Sequence, residues 1–346
     1  MFIRDNQDKK ELNSSSYNFK FDKKSGFFMR WGKNKDDDPD YSPYGPEIAD
    51  IEVTTSCSGP AGKVCVFCYK ANTPRGTNMS FGTFKKVFAN LPKTITQIAF
   101  GADANLTSNP DIWKMFDYCR ENGVVPNVTV ANITKKIAER LTKVCGGVAV
   151  SRYHNKNWCY DSVQHLTDAG MNQINIHMML SEETFDQAIE TINDRLNDPR
   201  LAGLHAIVFL SLKQVGRGTN NSPLSLDRFN AIIQHALNQK VNFGMDSCSA
   251  NKFVRVVKDH DDFDAFSKCV EPCESTCFSL YCNTDGHFFP CSFSEGNGKW
   301  VDGIDMTKEI NFLDDVWNNT RTKEFRSQLL NEKDENHIRT CPLFEI

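Results

Sequence analysis

The sequence predicts an α/β fold: a partial (β/α)6 TIM-like barrel of parallel strands with a small cysteine-rich C-terminal domain. Three observations carry this. From Glu47 onward, short apolar runs alternate with helical patterns, which implies a parallel sheet with crossover helices. Six βα units follow one another, too few for a closed eight-stranded barrel. Beyond about residue 245 the alternation stops and cysteines crowd the chain at 248, 269, 273, 277, 282 and 291, with Cys341 near the end.

Taken in order, residues 1–47 are polar, with the acidic run Asp36-Asp37-Asp38 and prolines at 39, 43 and 46. Phe19-Lys20-Phe21 and Gly26–Trp31 read as a short hairpin that turns around Asp22–Gly26. This extension is expected to cover a sheet edge. The apolar runs that follow are Ile48–Val53, Ile95–Phe100, Val125–Val130, Gly147–Ser151, Gln173–Met178 and Leu204–Leu210. The helical patterns between and after them are Phe81–Ala89, Ile112–Asn122, Lys135–Val144, Ser162–Ala169, Glu182–Leu196 and Leu226–Asn238. Asn122-Gly123 and Ala169-Gly170 are helix stops, because glycine accepts the left-handed conformation that ends a helix. A further strand at Val241–Met245 leads into Asp246-Ser247-Cys248. The expected units are therefore 1–47, 48–245 and 246–346.

Composition bounds the function. The 346 residues are 24% charged and 40% hydrophobic, with a net charge of -4, which argues against a broad nucleic-acid footprint. The first residues lack an apolar signal core, and no run of apolar residues is long enough to span a bilayer. The expected location is the cytoplasm. Thirteen cysteines in a chain without a secretory signal point to metal binding rather than a disulfide scaffold.

The densest group is Cys57-Ser-Gly-Pro-Ala-Gly-Lys-Val-Cys65-Val-Phe67-Cys68. It places three thiols just beyond the first predicted strand, and chemistry in such sheets sits at the carboxyl ends of strands. Three thiolates leave one iron of a four-iron cluster without a protein ligand. Zinc is the competing occupant, but it favours four ligands in a closed site, and the nearest histidine in sequence is His154. The spacing, the aromatic before the last cysteine and the position after a strand resemble the radical S-adenosylmethionine (radical SAM) enzymes. The family loop is C-x3-C-x2-C, so the first gap here is four residues longer. The resemblance implies that Cys57, Cys65 and Cys68 hold a [4Fe-4S] cluster whose open iron chelates S-adenosylmethionine. An electron from the cluster then yields a 5′-deoxyadenosyl radical that abstracts hydrogen from a substrate. Phe67 corresponds to the aromatic that shields the cluster.

The same resemblance assigns cofactor contacts. Gly101-Ala102-Asp103, after the second strand, stands where the family carries Gly-Gly-Glu against the methionine amino group. Asp103 is the expected acid; a loop cap is its alternative. Asn132 ends the third strand, and Ser151 and Arg152 end the fourth. By strand alternation Asn175 and His177 share one face of the fifth strand, and His177 reads either as a contact to cofactor or substrate or as a satisfied core residue. Gly216-Arg217-Gly218, after the sixth, reads either as an approach to the cofactor or as an ordinary loop.

In the tail, Asn283-Thr-Asp-Gly286 reads as a turn between Phe278–Tyr281 and His287–Phe289. The run is similar to the SPASM and twitch extensions of radical SAM enzymes, which carry auxiliary clusters. It implies one auxiliary [4Fe-4S] cluster on Cys273, Cys277 and Cys291, with Cys248 as fourth ligand and Cys341 as competitor. Cys269 and Cys282 are spare. Zinc is the alternative occupant here also. Cys119 and Cys145, in or near helices, and Cys159, in a loop, read as structural.

The resemblance implies a peptide or protein substrate and a reductant such as flavodoxin or ferredoxin. Residues 1–47 are too short for an evident leader-binding domain, so a separate partner is expected to supply one. A small molecule or nucleotide is the alternative substrate. The tail spacing is similar to that of the molybdenum-cofactor enzyme that rearranges a guanosine nucleotide, whose auxiliary iron stays open. The terminal Gly-Gly of that enzyme is absent, since the sequence ends Leu343-Phe-Glu-Ile346. A non-catalytic zinc- or cluster-binding protein is the alternative from another class.

Overall fold

The computed structural model describes residues 1–335 and 338–344. The chain opens with a four-stranded antiparallel meander, β1 (Phe2–Asp5), β2 (Lys9–Asn13), β3 (Asn18–Asp22) and β4 (Phe28–Trp31). The predicted hairpin is its second half, with Phe19 opposite Arg30 and Phe21 opposite Phe28. The Asp22 carboxylate accepts from the backbone N–H groups of Lys24 and Ser25 at 3.1 and 2.8 Å. Gly26 then takes φ +75°, a conformation open to glycine without a steric penalty. β1 and β2 are not legible in the sequence because Phe2–Asn13 is mostly polar and buries only Lys10 and Leu12. Among the described residues the meander forms a sheet of its own and pairs with no strand of the main sheet. Its inner face of Leu12, Tyr17 and Phe19 packs on Cys277, Phe278 and Leu329 near the other end of the chain.

The main sheet has ten strands. Seven are parallel and lie side by side in chain order: β5 (Ile48–Glu52), β6 (Gln97–Gly101), β7 (Val125–Val130), β8 (Val148–Ser151), β9 (Ile174–Leu180), β10 (Ala206–Ser211) and β11 (Phe243–Met245). Beside β5 the sheet continues with β12 (Ser279–Cys282), parallel to it, and then β13 (His287–Phe289) and β14 (Ile304–Asp305), both antiparallel to their neighbours. The predicted C-terminal hairpin is thus an extension of the barrel sheet and fills the edge next to β5.

Six helices connect the parallel strands: α1 (Phe81–Asn90), α2 (Ile112–Glu121), α3 (Lys135–Val144), α4 (Lys156–Asp168), α5 (Phe185–Asn197) and α6 (Leu226–Asn238). α7 (Ala250–Val257), α8 (Phe263–Lys268) and α9 (Thr320–Asn331) follow. α4 begins ahead of its predicted start because the Asn155 side chain caps it by accepting from Asn157 N–H at 3.1 Å. Cys159 is therefore a buried helical residue rather than a loop residue.

Strand alternation sorts the two faces. Ala49, Ile51, Ile98, Phe100, Val128, Val150, Ile174, Ile176, Ile207 and Phe209 face the helices and are buried. The opposite rows face the lumen, where Gln97, Asn127, Thr129, Asn175 and His177 line a cavity of about 310 Å3. The turn of the N-terminal hairpin closes this cavity from the end where the strands begin, and the Ser25 carbonyl accepts from Gln173 Nε2 at 3.3 Å. A larger cleft of about 880 Å3 lies at that same end, lined by Lys24, Arg120, Lys143 and Cys145 and by no residue of the 57–68 loop.

One apolar core runs through the barrel and the C-terminal strands and reaches Trp300 and Trp317. Trp317 is fully buried and its Nε1 donates to the Ser42 carbonyl at 2.8 Å. Trp317→Ala is expected to destabilise the fold by about 3–5 kcal/mol, the cost of truncating a large core side chain. Trp317→Phe is expected to cost less, about 1–3 kcal/mol, chiefly through the unsatisfied carbonyl. Thermal unfolding of the two variants checks the order.

Candidate functional site

The cysteine loop leaves the carboxyl end of β5 and returns to α1 at Phe81. Bridges between Thr54 and Asn78 and between Ser56 and Thr73 narrow its neck. Gly59 is required by close approach: a Cβ there would lie 1.9 Å from the Lys63 carbonyl oxygen. The enlarged first gap is thus a folded excursion, with Gly59 N–H donating to the Cys57 sulfur at 3.3 Å.

Three elements clamp this loop. Asn132, past the end of β7, donates from Nδ2 to the Pro60 carbonyl at 3.0 Å. Arg217 Nε donates to the Cys65 carbonyl at 2.8 Å, and Arg217 N–H donates to the Cys68 carbonyl at 3.0 Å. Gly216 explains its own presence, since a Cβ there would lie 2.2 Å from the Tyr69 carbonyl oxygen. The third clamp is Tyr153, which sequence reasoning missed. Its ring stacks on Phe67 at 5.5 Å between centroids, and its hydroxyl lies within electrostatic reach of Ser151 and Cys65. The only signal in the sequence was its place just after the fourth strand. Burial pushes the Cys65 thiol up to about 11, while Tyr153 and Arg217 act the other way and Cys57 and Cys68 add to the rise. Cys57 and Cys68 therefore both lie within electrostatic reach of Cys65.

The expected cofactor contacts divide. Gly101 and Ala102 end β6 beside Glu52, with the Gly101 Cβ position 3.3 Å from Glu52 Cα. Asp103 is turned into its own loop. It is buried, and its carboxylate accepts from Thr107 N–H and Ser108 N–H, both at 3.0 Å. The expectation that it meets an ammonium group is corrected: its oxygens are already taken by the backbone. The loop instead presents Asn105, whose Oδ1 is buried without a partner. Ser151 faces the lumen, but Arg152 points the opposite way, as alternation requires. Arg152 pairs with Glu190 at 2.7 Å, so its expected role in the site is also corrected to a structural one. Asn175 and His177 face the lumen, and Asn175 Oδ1 has no partner. Burial holds His177 neutral by lowering its pKa to about 4, opposed by Asp246. Asp50 is open to lumen water yet walled in by protein, and that enclosure, with Glu274, raises its carboxyl to about 7.

Burial sorts the thirteen cysteines. Cys119, Cys145, Cys159, Cys277 and Cys282 are buried, Cys269 is exposed, and seven are half-buried. Those seven are the loop triplet with Cys248, Cys273, Cys291 and Cys341. After burial, which dominates, every pair within the second group contributes to raising a thiol pKa. Cys277 takes no part. It lies in the apolar cluster under the N-terminal meander, where the charges that reach it are Arg339, Arg326, Asp40 and Glu274. The expected set with Cys277 is thus redrawn: the residues brought together are Cys248, Cys273, Cys291 and Cys341.

Two contacts join the groups. Tyr69, next to Cys68, meets the ring of Phe293 at 4.5 Å. Lys70 donates to the Tyr281 hydroxyl at 2.8 Å and pairs with Glu52 at 3.3 Å and with Glu295. Among the described residues no three His, Cys, Asp or Glu side chains are close enough to chelate one metal ion. A single tetrahedral ion needs thiolates about 4 Å apart. A cluster with one thiolate per iron spreads its thiolates wider than a single ion does.

No family model and no curated protein sequence matches the chain. Solved structures match it in fold. SuiB of Streptococcus suis, bound to precursor peptide SuiA, superposes with a TM-score of 0.68 at 12% identity, over 96% of this chain and 92% of that one. anSMEcpe with bound AdoMet and the Cp18Cys peptide gives 0.56 at 13%, over 84% and 85%. The chain shares the fold of these proteins. SuiB bound to S-adenosylmethionine matches likewise, at 0.64 and 11% identity over 96% and 91%. In this fold the loop triplet follows the first parallel strand of the chain, β5.

The clamp at Gly216 yields a prediction. Gly216→Ala forces a side chain onto the Tyr69 backbone at φ +58°. Amide hydrogen exchange across 57–72 is expected to speed up at least severalfold, with little change in the melting temperature. Unchanged exchange there would remove Gly216 from the clamp.

Proposed function

We propose that the protein is a radical SAM enzyme that abstracts hydrogen from a peptide or protein substrate. The observation that carries this is the placement of Cys57, Cys65 and Cys68, half-buried and with Cys57 and Cys68 within electrostatic reach of Cys65, on a clamped loop at the carboxyl end of β5. When bound, a [4Fe-4S] cluster with S-adenosylmethionine on its open iron supplies the radical chemistry. The chain supplies everything else. Cys57, Cys65 and Cys68 ligate, while Phe67 and Tyr153 exclude water from one side. Asn132 and Arg217 hold the loop. The Asn105 and Asn175 carbonyl oxygens offer acceptors to the cofactor or substrate. Gly101, Ala102 and Ser151 line the strand ends beside them.

The tail reading is an auxiliary [4Fe-4S] cluster on Cys248, Cys273, Cys291 and Cys341, in the manner of a SPASM or twitch extension over residues 246–346. Four thiols in one group support a closed cluster. An open auxiliary iron, which the small-molecule reading requires, would leave one of them without a role. The peptide reading also draws support from the names of the matching structures, since SuiB and anSMEcpe were solved with peptides. A low-potential donor such as flavodoxin or ferredoxin would deliver the electron. Among the described residues no helix is long and apolar enough to cross a membrane, and all thirteen cysteines are free thiols, which suits a reducing cytoplasm.

Two experiments test this. Anaerobically reconstituted protein is expected to carry about eight irons and, with dithionite and S-adenosylmethionine, to form 5′-deoxyadenosine. Replacing Cys57, Cys65 and Cys68 with alanine should leave about four irons and abolish the product. Retained product in that variant would defeat the reading. For the tail, Cys341→Ala is expected to lose auxiliary iron, whereas Cys277→Ala should keep its iron and lower the melting temperature. The reverse result would restore Cys277 as the ligand.

A further inference from the structure

We propose that Lys213 sets the reduction potential of the auxiliary cluster, with Asp246 as its anchor. This rests on the reading of Cys248, Cys273, Cys291 and Cys341 as one ligand set. Lys213 lies just past β10 and is only 7% exposed, a rare state for lysine. Its ammonium pairs with the carboxylate of Asp246, two residues before Cys248, and lies within electrostatic reach of that thiol. It also stands 5.3 Å from the ring centroid of Phe293, two residues beyond Cys291. The cation is therefore built in between two arms of the second cysteine group.

The anchor is itself held. Asp246 Oδ1 accepts from Ser249 Oγ and from the Ser211 N–H at 3.4 Å, and the two serine hydroxyls, both buried, meet at 2.7 Å. The pair cannot swing out to water without breaking this ring of bonds. A buried ion pair of this kind is weak as a stabilising device, since desolvation offsets most of its attraction. Its use lies in the field it makes. Reduction adds a negative charge to a cluster, and a fixed cation beside its ligands stabilises the reduced form. Lys213 thereby raises the potential, and Asp246, of opposite charge, tempers the rise. The chain segment that carries Lys213 continues into the Gly216–Gly218 clamp on the first loop, so the residue stands in the wall between the two groups.

The test uses the full-length chain with Cys57, Cys65 and Cys68 replaced by alanine, so that only the second cluster reports. Its midpoint potential is read by anaerobic redox titration followed by electron paramagnetic resonance. Lys213→Met is expected to move the midpoint to more negative values, and Asp246→Asn to move it in the positive direction. Lys213→Arg, which restores the charge, should return most of the loss. A structural role alone would not give opposite signs at equal iron content. An unchanged midpoint in Lys213→Met, or shifts of the same sign in both variants, would overturn the inference while leaving the cluster in place. A parent chain that binds no iron would instead overturn the ligand reading, and the inference with it.

Discussion

The parallel pairing of β5 on both sides is the constraint on which the rest depends. β6 pairs with it from Ile48 to Glu52, and β12 pairs with it from Ile48 to Ile51. A buried parallel edge would otherwise leave a row of backbone groups without partners. Filling that edge with β12 brings the C-terminal segment against the strand that emits the cysteine loop. Tyr281 and Glu295 then reach Lys70 of that loop, and Phe293 reaches Tyr69. The two thiol groups share a neighbourhood because of a backbone pairing between segments distant in sequence, Ile48–Ile51 with Ser279–Cys282.

The lumen gives this arrangement its chemistry. Strand alternation sends aliphatic side chains toward the helices and leaves a polar inner row that no helix covers. The groups there are tuned by enclosure rather than by partners. Low-dielectric surroundings disfavour charge, which holds His177 neutral and lifts Asp50 toward neutrality. A lumen with subdued charge and spare amide oxygens suits a reaction that must shield a reactive species from water. The N-terminal hairpin turn contributes by closing the far end.

The thiols show how burial and chemistry separate residues of one type. Cys119, Cys145, Cys159, Cys277 and Cys282 sit in the apolar core and behave as small hydrophobic side chains. The half-buried thiols occupy loops at element ends, where a ligand has room. Cys277 is the instructive case. Its spacing to Cys273 and Cys291 is as suitable as that of a ligand, but a turn at Thr276, with φ +59°, directs it into the apolar cluster with Tyr17 and Phe278.

The sequence by itself determined the alternation of strands and helices, the order of the parallel sheet, the loop triplet and the C-terminal hairpin turn. Each of these is local: periodicity, turn chemistry and short spacing survive in one dimension. Only the tertiary structure decided the partners that are distant in sequence. It attached the hairpin to β5, drew Cys341 and Cys248 together, sent Cys277 and Arg152 away from the site, and placed Tyr153 against Cys65. It also exhausted the Asp103 carboxylate on its own loop, because a short acid close to several free N–H groups bonds to them before anything farther away. Side-chain direction depends on which face an element buries, and that face is chosen by packing against segments that the local pattern does not contain.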